Sequence, residues 1–317
     1  MHRTLADFRD ACSALNLHVF ERGWLSSNGV LIRSAAGNCL IDTGYATHAD
    51  QTLALVKSAL GEARLHTVIN THLHSDHCGG NAALSTAYHG LKVLIPPGQA
   101  AAVNAWDTGA LSYGPTGQLC PRFHYTDTLA PGTSINLGTA EWQVLAAKGH
   151  DPHSIILFQQ DHGILMSADA LWENGFGVVF PELDGIDAFD EVAATLDLIE
   201  SLSPRYIIPG HGPVFSDLTG ALQRARSRLA QFQGSPQKHR RHAVKVLLKF
   251  KLLEWQQTDL HSLIAWFRQT PYFHTIAPLD GMSAEDDTSI REYLETLLDD
   301  LQKAGAVEVI GHVIRNR

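Results

Sequence analysis

The chain has 317 residues, of which 44% are hydrophobic and 18% charged. That balance excludes a disordered or fibrous chain, and the lack of any apolar run of about 18 residues excludes a membrane-spanning helix. The net charge of −9 disfavours non-specific nucleic-acid binding, but it is unevenly spread: ten basic residues stand against 22 acidic through position 220, and 14 against 11 beyond it.

The length favours one large domain plus a smaller one. The opening residues, Met1 to Asp10, carry charges where a secretory signal needs an apolar stretch, so a cytoplasmic location is expected. Cys12, Cys39, Cys78 and Cys120 are widely spaced and form no CxxC pair, which suits reduced thiols and predicts no disulfide framework.

Short β-rich runs at Leu15–Glu21, Gly29–Ser34 and Asn38–Asp42 open a sheet, separated by Gly, Ser and Asn turn residues. A helix is expected over Ala49–Leu60, then an apolar strand, His66–Asn70, running directly into Thr71-His72-Leu73-His74-Ser75-Asp76-His77-Cys78-Gly79-Gly80. Asn81–Tyr88 reads as a helix and Leu91–Ile95 as a strand. Pro96 to Gly132 is a long Gly/Pro-punctuated stretch of the kind that often carries function. Strands resume at Glu141–Ala147, Ser154–Gln159 and Gly163–Ser167, a helix follows at Phe189–Leu202, and a last strand, Tyr206–Pro209, delivers Gly210-His211-Gly212-Pro213. After about Thr219 the chain turns helical: Leu222–Phe232, Arg240–Leu253, Leu260–Phe267 and Thr288–Lys303, with Gln233–Pro236 as a linker and Ala306–Ile314 strand-like. In the last helix Ile290, Tyr293, Leu294, Leu297, Leu298 and Leu301 fall on one face at helical period. The expected division is 1–218 and 219–317.

Four ligand-type side chains, His72, His74, Asp76 and His77, lie within six residues. A helix would scatter them. On a strand end breaking into a loop, His72 and His74 face one side and the turn at Ser75 swings Asp76 and His77 toward a neighbouring ion, so the spacing suggests two metals. Gly79-Gly80 is expected to allow a tight turn into the next helix.

The run His72-Leu73-His74-Ser75-Asp76-His77 resembles the HxHxDH signature of the metallo-β-lactamase superfamily. Ile41-Asp42-Thr43-Gly44, Gly149-His150, Ser167-Ala168-Asp169-Ala170 and Pro209-Gly210-His211-Gly212-Pro213 resemble its other motifs, in its order, over roughly residues 15–215. The resemblance implies an α/β fold, the αββα sandwich, with the site at one sheet edge. It assigns His72, His74 and His150 to one ion and Asp76, His77 and His211 to a second. Asp169 would bridge them, and a shared hydroxide would be the nucleophile. Asp42 would orient the loop or a ligand histidine without binding metal. Two divalent ions are implied, zinc by default, with iron or manganese also accepted.

The family's usual Gly before the bridging Asp is Ala168 here, a change expected to be tolerated. Asp76 and His153 are the candidate catalytic groups. Trp172, Glu173, Asn174, Phe176 and Phe180 could roof a pocket or belong to the core. His48, His66, His89, His162, His261 and His274 fall on no motif, and Cys78 should be a small packed residue pointing away from the ligands.

Retention of Asp169 and the absence of a signal speak against a true β-lactamase. His74, where flavodiiron proteins typically carry Glu, and the lack of a flavodoxin region speak against that branch. Glyoxalase II shares the ligand set, but its basic glutathione-binding segment is not found. The order of elements is most similar to the lactamase-beta-2-like branch, with Arg-bearing helices and a C-terminal winged helix, some of whose members cleave single-stranded RNA. Arg224, Arg226, Arg228, Lys238, Arg240, Arg241, Lys245, Lys249 and Lys251 offer a basic stripe for such a role, with a solvated helix face as the plainer reading. The acidic residues around the last helix would repel groove insertion, so the small domain is expected to pack on the core, wall the pocket or form a homodimer. The expected function is hydrolysis of a small ester, thioester or lactone, with a small-molecule partner and no membrane. The alternatives are phosphodiester cleavage of RNA and a non-catalytic metal-binding protein.

Overall fold

The computed structural model describes residues 5–317. In chain order the elements are α1 (Leu5–Leu15), β1 (Leu17–Phe20), β2 (Gly29–Ile32), β3 (Asn38–Ile41), α2 (Ala49–Leu60), β4 (Leu65–Ile69), α3 (Ser75–Cys78), α4 (Asn81–Ala87), β5 (Lys92–Ile95), α5 (Ala100–Ala105), α6 (Tyr113–Thr116) and β6 (Asp127–Thr128). There follow β7 (Ser134–Leu137), β8 (Ala140–Ala146), β9 (Ile155–Gln159), β10 (Ile164–Ala168), α7 (Phe180–Leu183), α8 (Phe189–Leu202) and β11 (Tyr206–Pro209). The remainder is α9 (Leu218–Gly234), α10 (Pro236–Trp255), β12 (Gln257–Asp259), α11 (Leu260–Gln269), α12 (Pro271–Ile276), α13 (Asp287–Lys303), β13 (Val307–Ile310) and β14 (Val313–Asn316).

Two sheets form the body, one in the order β1-β2-β3-β4-β5-β6 and one in the order β11-β10-β9-β8-β7. Alternate residues explain why they face each other: Val30 and Ile32, Cys39 and Ile41, Ile155 and Leu157, Ile164 and Met166, Tyr206 and Ile208 all enter one buried cluster with Trp142 and Val144. The residues between them, such as Leu31, Leu40, Ile156, Leu165 and Ile207, are buried as well, so both faces of each central strand are covered, as parallel pairing requires. This is the αββα sandwich. Its strands β3, β4, β10 and β11 end together, and the loops leaving those ends carry Asp42, the histidine cluster, Asp169 and His211.

The chain divides into two compact units: residues up to Leu111 with Leu119–Ala230, and Ser112–Gln118 with Gln231–Arg317. The second unit holds helices and a small antiparallel sheet in the order β12-β14-β13. Asp259 caps α11 by accepting from Ser262 N–H at 2.7 Å, and Asp286 caps α13. No helix among the described residues is long and apolar enough to cross a membrane.

Several expectations need correction. Helix α1 precedes the first strand and places Phe8, Ala11 and Leu15 in the core. The hairpin partner β7 lies where no strand is expected. Pro96 to Gly132 is punctuated by the short helices α5 and α6. Gln233–Pro236 is largely helical: α9 runs to Gly234 and α10 starts at Pro236, which takes the first helical turn, where a missing N–H costs nothing.

Gly79 and Gly80 have ordinary helical φ angles of −61° and −83°, so turn geometry does not demand them. Close approach does: a Cβ on Gly79 would lie 2.5 Å from Ala46 N and 2.6 Å from Ser75 O, and one on Gly80 would lie 2.5 Å from Thr43 O. Because these neighbours are backbone, Gly79→Ala is expected to cost about 3 kcal/mol through overpacking. A urea midpoint unchanged from wild type would show that the loop yields.

Candidate metal centre

His72 follows the end of β4 in a bend and His74 is in extended backbone, and α3 then turns Asp76 and His77 inward. His150 arrives from the loop after β8, Asp169 from β10 and His211 from β11. Together they make three groups: His72, His74 and His150; His72, His77 and Asp169; Asp76, His77 and His211. Within each group the donor atoms all lie within 4.8 Å of one another. All seven sequence candidates are thus brought together. The Asp169 carboxylate sits among them, 3.4 Å from both His77 Nε2 and His150 Nε2 and 3.8 Å from His211 Nε2.

The hydrogen bonds behind the rings fix which nitrogens face inward. His150 Nδ1 points at the Val178 carbonyl at 2.5 Å, which can only accept, so Nδ1 carries the proton and Nε2 presents a lone pair. Asp42 accepts from His77 Nδ1 at 2.7 Å, so in the neutral ring Nε2, buried and without a hydrogen-bond partner, is the bare nitrogen. Thr71 Oγ1 donates to Asp42 at 2.8 Å and is left to accept from His72 Nδ1 at 3.1 Å. His74 turns Nε2 toward Asp151 at 3.8 Å and Nδ1 toward His72 Nε2 at 3.1 Å and His150 Nε2 at 2.8 Å. Lone pairs aimed at one another across such distances repel, and a cation between them removes that cost. The donor set therefore fits divalent metal.

Local strain and small residues serve the same geometry. Ala168 sits at φ 46°, at a register shift between β10 and β11, a left-handed conformation that costs a residue with a Cβ roughly 1–2 kcal/mol. A Cβ on Gly210 would fall 2.1 Å from Asp169 Oδ1, so only glycine leaves room for that carboxylate. Asn28, legible in the sequence only as a turn residue, donates from Nδ2 to the Pro209 carbonyl at 2.9 Å and the Gly212 carbonyl at 2.8 Å, bracketing His211.

Aromatic rings flank the centre. Trp24, 53% exposed and carrying no motif signal, stacks on His211 with centroids 5.5 Å apart and planes 9° apart. Trp172 meets His211 edge-on at 5.5 Å and donates from Nε1 to Asp169 at 3.2 Å, while Phe180 lies 5.2 Å from His74. Phe176 is buried in the core instead, and Glu173 offers its carbonyl to Arg224. The His153 ring packs over Gly98, the His153 backbone N–H donates to Asp151 at 2.7 Å, and the residue belongs to none of the three donor groups. His48 bonds Ser26 and His66 accepts from Asn38 N–H, both structural contacts. The Cys78 side chain faces the Leu73 and His74 carbonyls and the Cys120 Sγ at 3.8 Å, so two cysteines far apart in sequence are neighbours in space.

Burial and the surrounding charges set the metal-free protonation. Burial, aided by His150, lowers His74 to about 4, and burial with His77 and His74 nearby holds His72 well below its ordinary value. For His77, burial pulls down but Asp169 and Asp42 outweigh it and hold the ring well above normal. Asp169, which burial alone would raise, is held well below the carboxylate range by His77, His211 and His150. For His74 the folded pKa lies below the unfolded 6.5, so its contribution is complete above pH 6.5 and is lost as pH falls toward 4. That amounts to roughly 3 kcal/mol. His77 acts oppositely, its contribution being full below 6.5 and fading as pH rises through its folded value. Chelated protein should therefore show a urea midpoint that drops steadily from pH 6.5 to 4; a flat profile there contradicts neutral burial of His72 and His74.

Comparison with known proteins agrees with this geometry. A Caenorhabditis elegans protein named "Beta-lactamase-like protein 2 homolog" is 26% identical over 223 residues, 70% of this chain and 65% of its own. A Rhodobacter capsulatus protein named "Hydroxyacylglutathione hydrolase" is 32% identical over 149 residues, 47% of this chain and 48% of its own. The chain thus spans less than two thirds of the length of each. A crystal structure of a metallo-beta-lactamase family protein from Thermus thermophilus superposes with a TM-score of 0.55 at 20% identity, covering 95% of this chain and 98% of that one. The family model described as "Metallo-beta-lactamase superfamily" matches residues 22–211, the span that runs from the Arg22 turn to His211 and contains every donor of the centre, and the chain belongs to that superfamily.

Proposed function

We propose that the chain is a dinuclear metal-dependent hydrolase of a small ester, thioester or lactone. The observation that carries this is the placement of the Asp169 carboxylate 3.4 Å from a nitrogen of each donor trio, where one side chain can serve both ions. His72, His74 and His150 would hold one, Asp76, His77 and His211 the other, with zinc the default for imidazole-rich ligation and iron or manganese accepted by the same donors. When bound, such a pair supplies an acidified water and a polarised carbonyl oxygen. The chain's own contribution is positional: Asp42, Thr71 and the Val178 carbonyl hold the His77, His72 and His150 rings with a lone pair inward. Trp24, Trp172 and Phe180 give the substrate apolar walls.

The name of the Rhodobacter capsulatus relative puts acyl-glutathione thioesters on the substrate panel. Phosphodiester cleavage lacks comparable support, because the basic stripe is largely committed within the chain. Arg226 pairs with Asp197 and Glu200, Arg240 with Asp280, Arg241 and Lys245 with Asp300, and Lys251 with Glu254. We read the second unit, with its helices and its β12-β14-β13 sheet, as winged-helix-like.

Turnover of chromogenic esters, lactones and thioesters, measured beside cleavage of labelled single-stranded RNA, tests the proposal. Ester-type activity that disappears on chelation and returns with added zinc supports it. Faster RNA cleavage overturns the substrate class, and full activity in a folded His72→Ala/Asp76→Ala double variant overturns the site. Removing the exposed ring in Trp24→Ala is expected to raise KM for an aromatic ester about five-fold with kcat nearly unchanged, the loss of roughly 1 kcal/mol of stacking. An equal effect on an acetyl ester would deny that ring a role in binding.

A further inference from the structure

We infer that Cys78 and Cys120 form a redox-active dithiol, a site at which a small-molecule disulfide closes an intramolecular cross-link beside the metal centre. Their Sγ atoms lie 3.8 Å apart. Cys78 ends α3, one residue after His77, and its buried sulfur also faces the Leu73 carbonyl at 3.5 Å and the His74 carbonyl at 3.3 Å. Cys120 is half-buried on irregular backbone between α6 and β6, where it also makes a long contact, 3.9 Å, to the Pro121 carbonyl. A disulfide needs the sulfurs about 2 Å apart. Closing that gap requires Cys120, which lies on irregular backbone, to move toward Cys78 at the end of α3.

The other two cysteines behave differently. Cys39 belongs to the hydrophobic core between the sheets, Cys12 packs against it, and burial pushes their thiols up to about 12 and about 11. Cys120 is the accessible partner of a close pair, and Cys78 is the resolving one.

The chemistry is thiol–disulfide exchange. The Cys120 thiolate attacks a disulfide RSSR, whose S–S bond breaks and releases one RSH that carries the Cys120 proton. The Cys78 thiolate then attacks Sγ of the Cys120 mixed disulfide and releases the second RSH with the Cys78 proton. Two protein thiols are oxidised and one RSSR is reduced to two thiols. Closure removes the S–H group facing the Leu73 and His74 carbonyls and ties the turn bearing Asp76 and His77 to the Cys120 segment.

The test uses the full chain loaded with zinc and incubated with oxidised glutathione, followed by acid quench, alkylation in denaturant and non-reducing peptide mapping. The expected result is a single linked peptide pair joining Cys78 to Cys120, two of the four cysteines left to alkylate, a mass lower by two hydrogens, and full reversal by dithiothreitol. Cys12→Ser should cross-link like wild type, and Cys120→Ser should not cross-link at all. Four alkylated cysteines, a stable glutathione adduct at Cys120 with Cys78 still alkylated, or a link through Cys12 or Cys39 would each overturn the inference.

Discussion

Asp169→Asn is expected to lower kcat/KM by roughly 10³-fold and to reduce bound metal from two equivalents per chain to about one. The substitution keeps the shape of the side chain but removes the negative charge that His77, His150 and His211 surround at 3.4 to 3.8 Å. An amide has only one oxygen to offer, so it can no longer serve both donor trios, and two cations held close together would lose the charge that offsets their mutual repulsion. Trp172→Phe makes the informative control: it removes the indole N–H that meets Asp169 at 3.2 Å while keeping the carboxylate, so a loss nearer ten-fold is expected. Metal analysis with steady-state kinetics at saturating zinc decides the matter. Two equivalents and unimpaired turnover in Asp169→Asn would deny Asp169 the bridging role, and fewer than two equivalents in the wild type would overturn the dinuclear proposal itself.

What the sequence shows of this site, and what it hides, follows from how far apart the interacting groups are along the chain. His72, His74, Asp76 and His77 are legible because one strand end and one turn bring them together, and local geometry alone makes them converge. His150, Asp169 and His211 lie in loops that leave other strands; only the order of family motifs connects them. Trp24 and Asn28 have no such connection. Their roles come from the loop after β1 lying beside the end of β11, a juxtaposition fixed by the two sheets meeting face to face. The same holds for Cys78 and Cys120. Gly79 and Gly80 show a subtler gap: glycine is legible as permissive, but here the requirement is the approach of Ala46 and Thr43 backbone, which no local rule anticipates. Ala168 reads as a mild replacement for glycine, yet its φ of 46° makes it a strained one. In the C-terminal part the helices are legible from periodicity, whereas Gln233-Gly234-Ser235-Pro236 reads as a linker although a proline at the first turn equally starts a helix.

Asp42 offers the sharpest separation of folding from metal binding, because two substitutions there change different things. Its carboxylate accepts from Thr71 N–H at 2.9 Å, Thr71 Oγ1 at 2.8 Å and His77 Nδ1 at 2.7 Å, and its backbone sits at φ 57°. Asp42→Ala leaves buried donors without partners and puts an alanine in the left-handed region, so about 3 to 5 kcal/mol of stability should be lost. Asp42→Asn avoids most of that, since asparagine tolerates positive φ and its oxygen can still receive the Thr71 N–H. With that oxygen committed, its NH₂ group faces His77 Nδ1. The ring must then accept at Nδ1 and carry its proton on Nε2, the nitrogen aimed at the second ion. Asp42→Asn should accordingly lose less stability than Asp42→Ala in the metal-free state and yet bind the ion of the Asp76, His77 and His211 trio roughly 10- to 100-fold more weakly. Zinc titration followed by calorimetry, with thermal melts of the chelated proteins, reads both quantities. If Asp42→Asn binds both ions as wild type does while Asp42→Ala is merely unstable, Asp42 supports the loop and has no hold over the tautomer of His77.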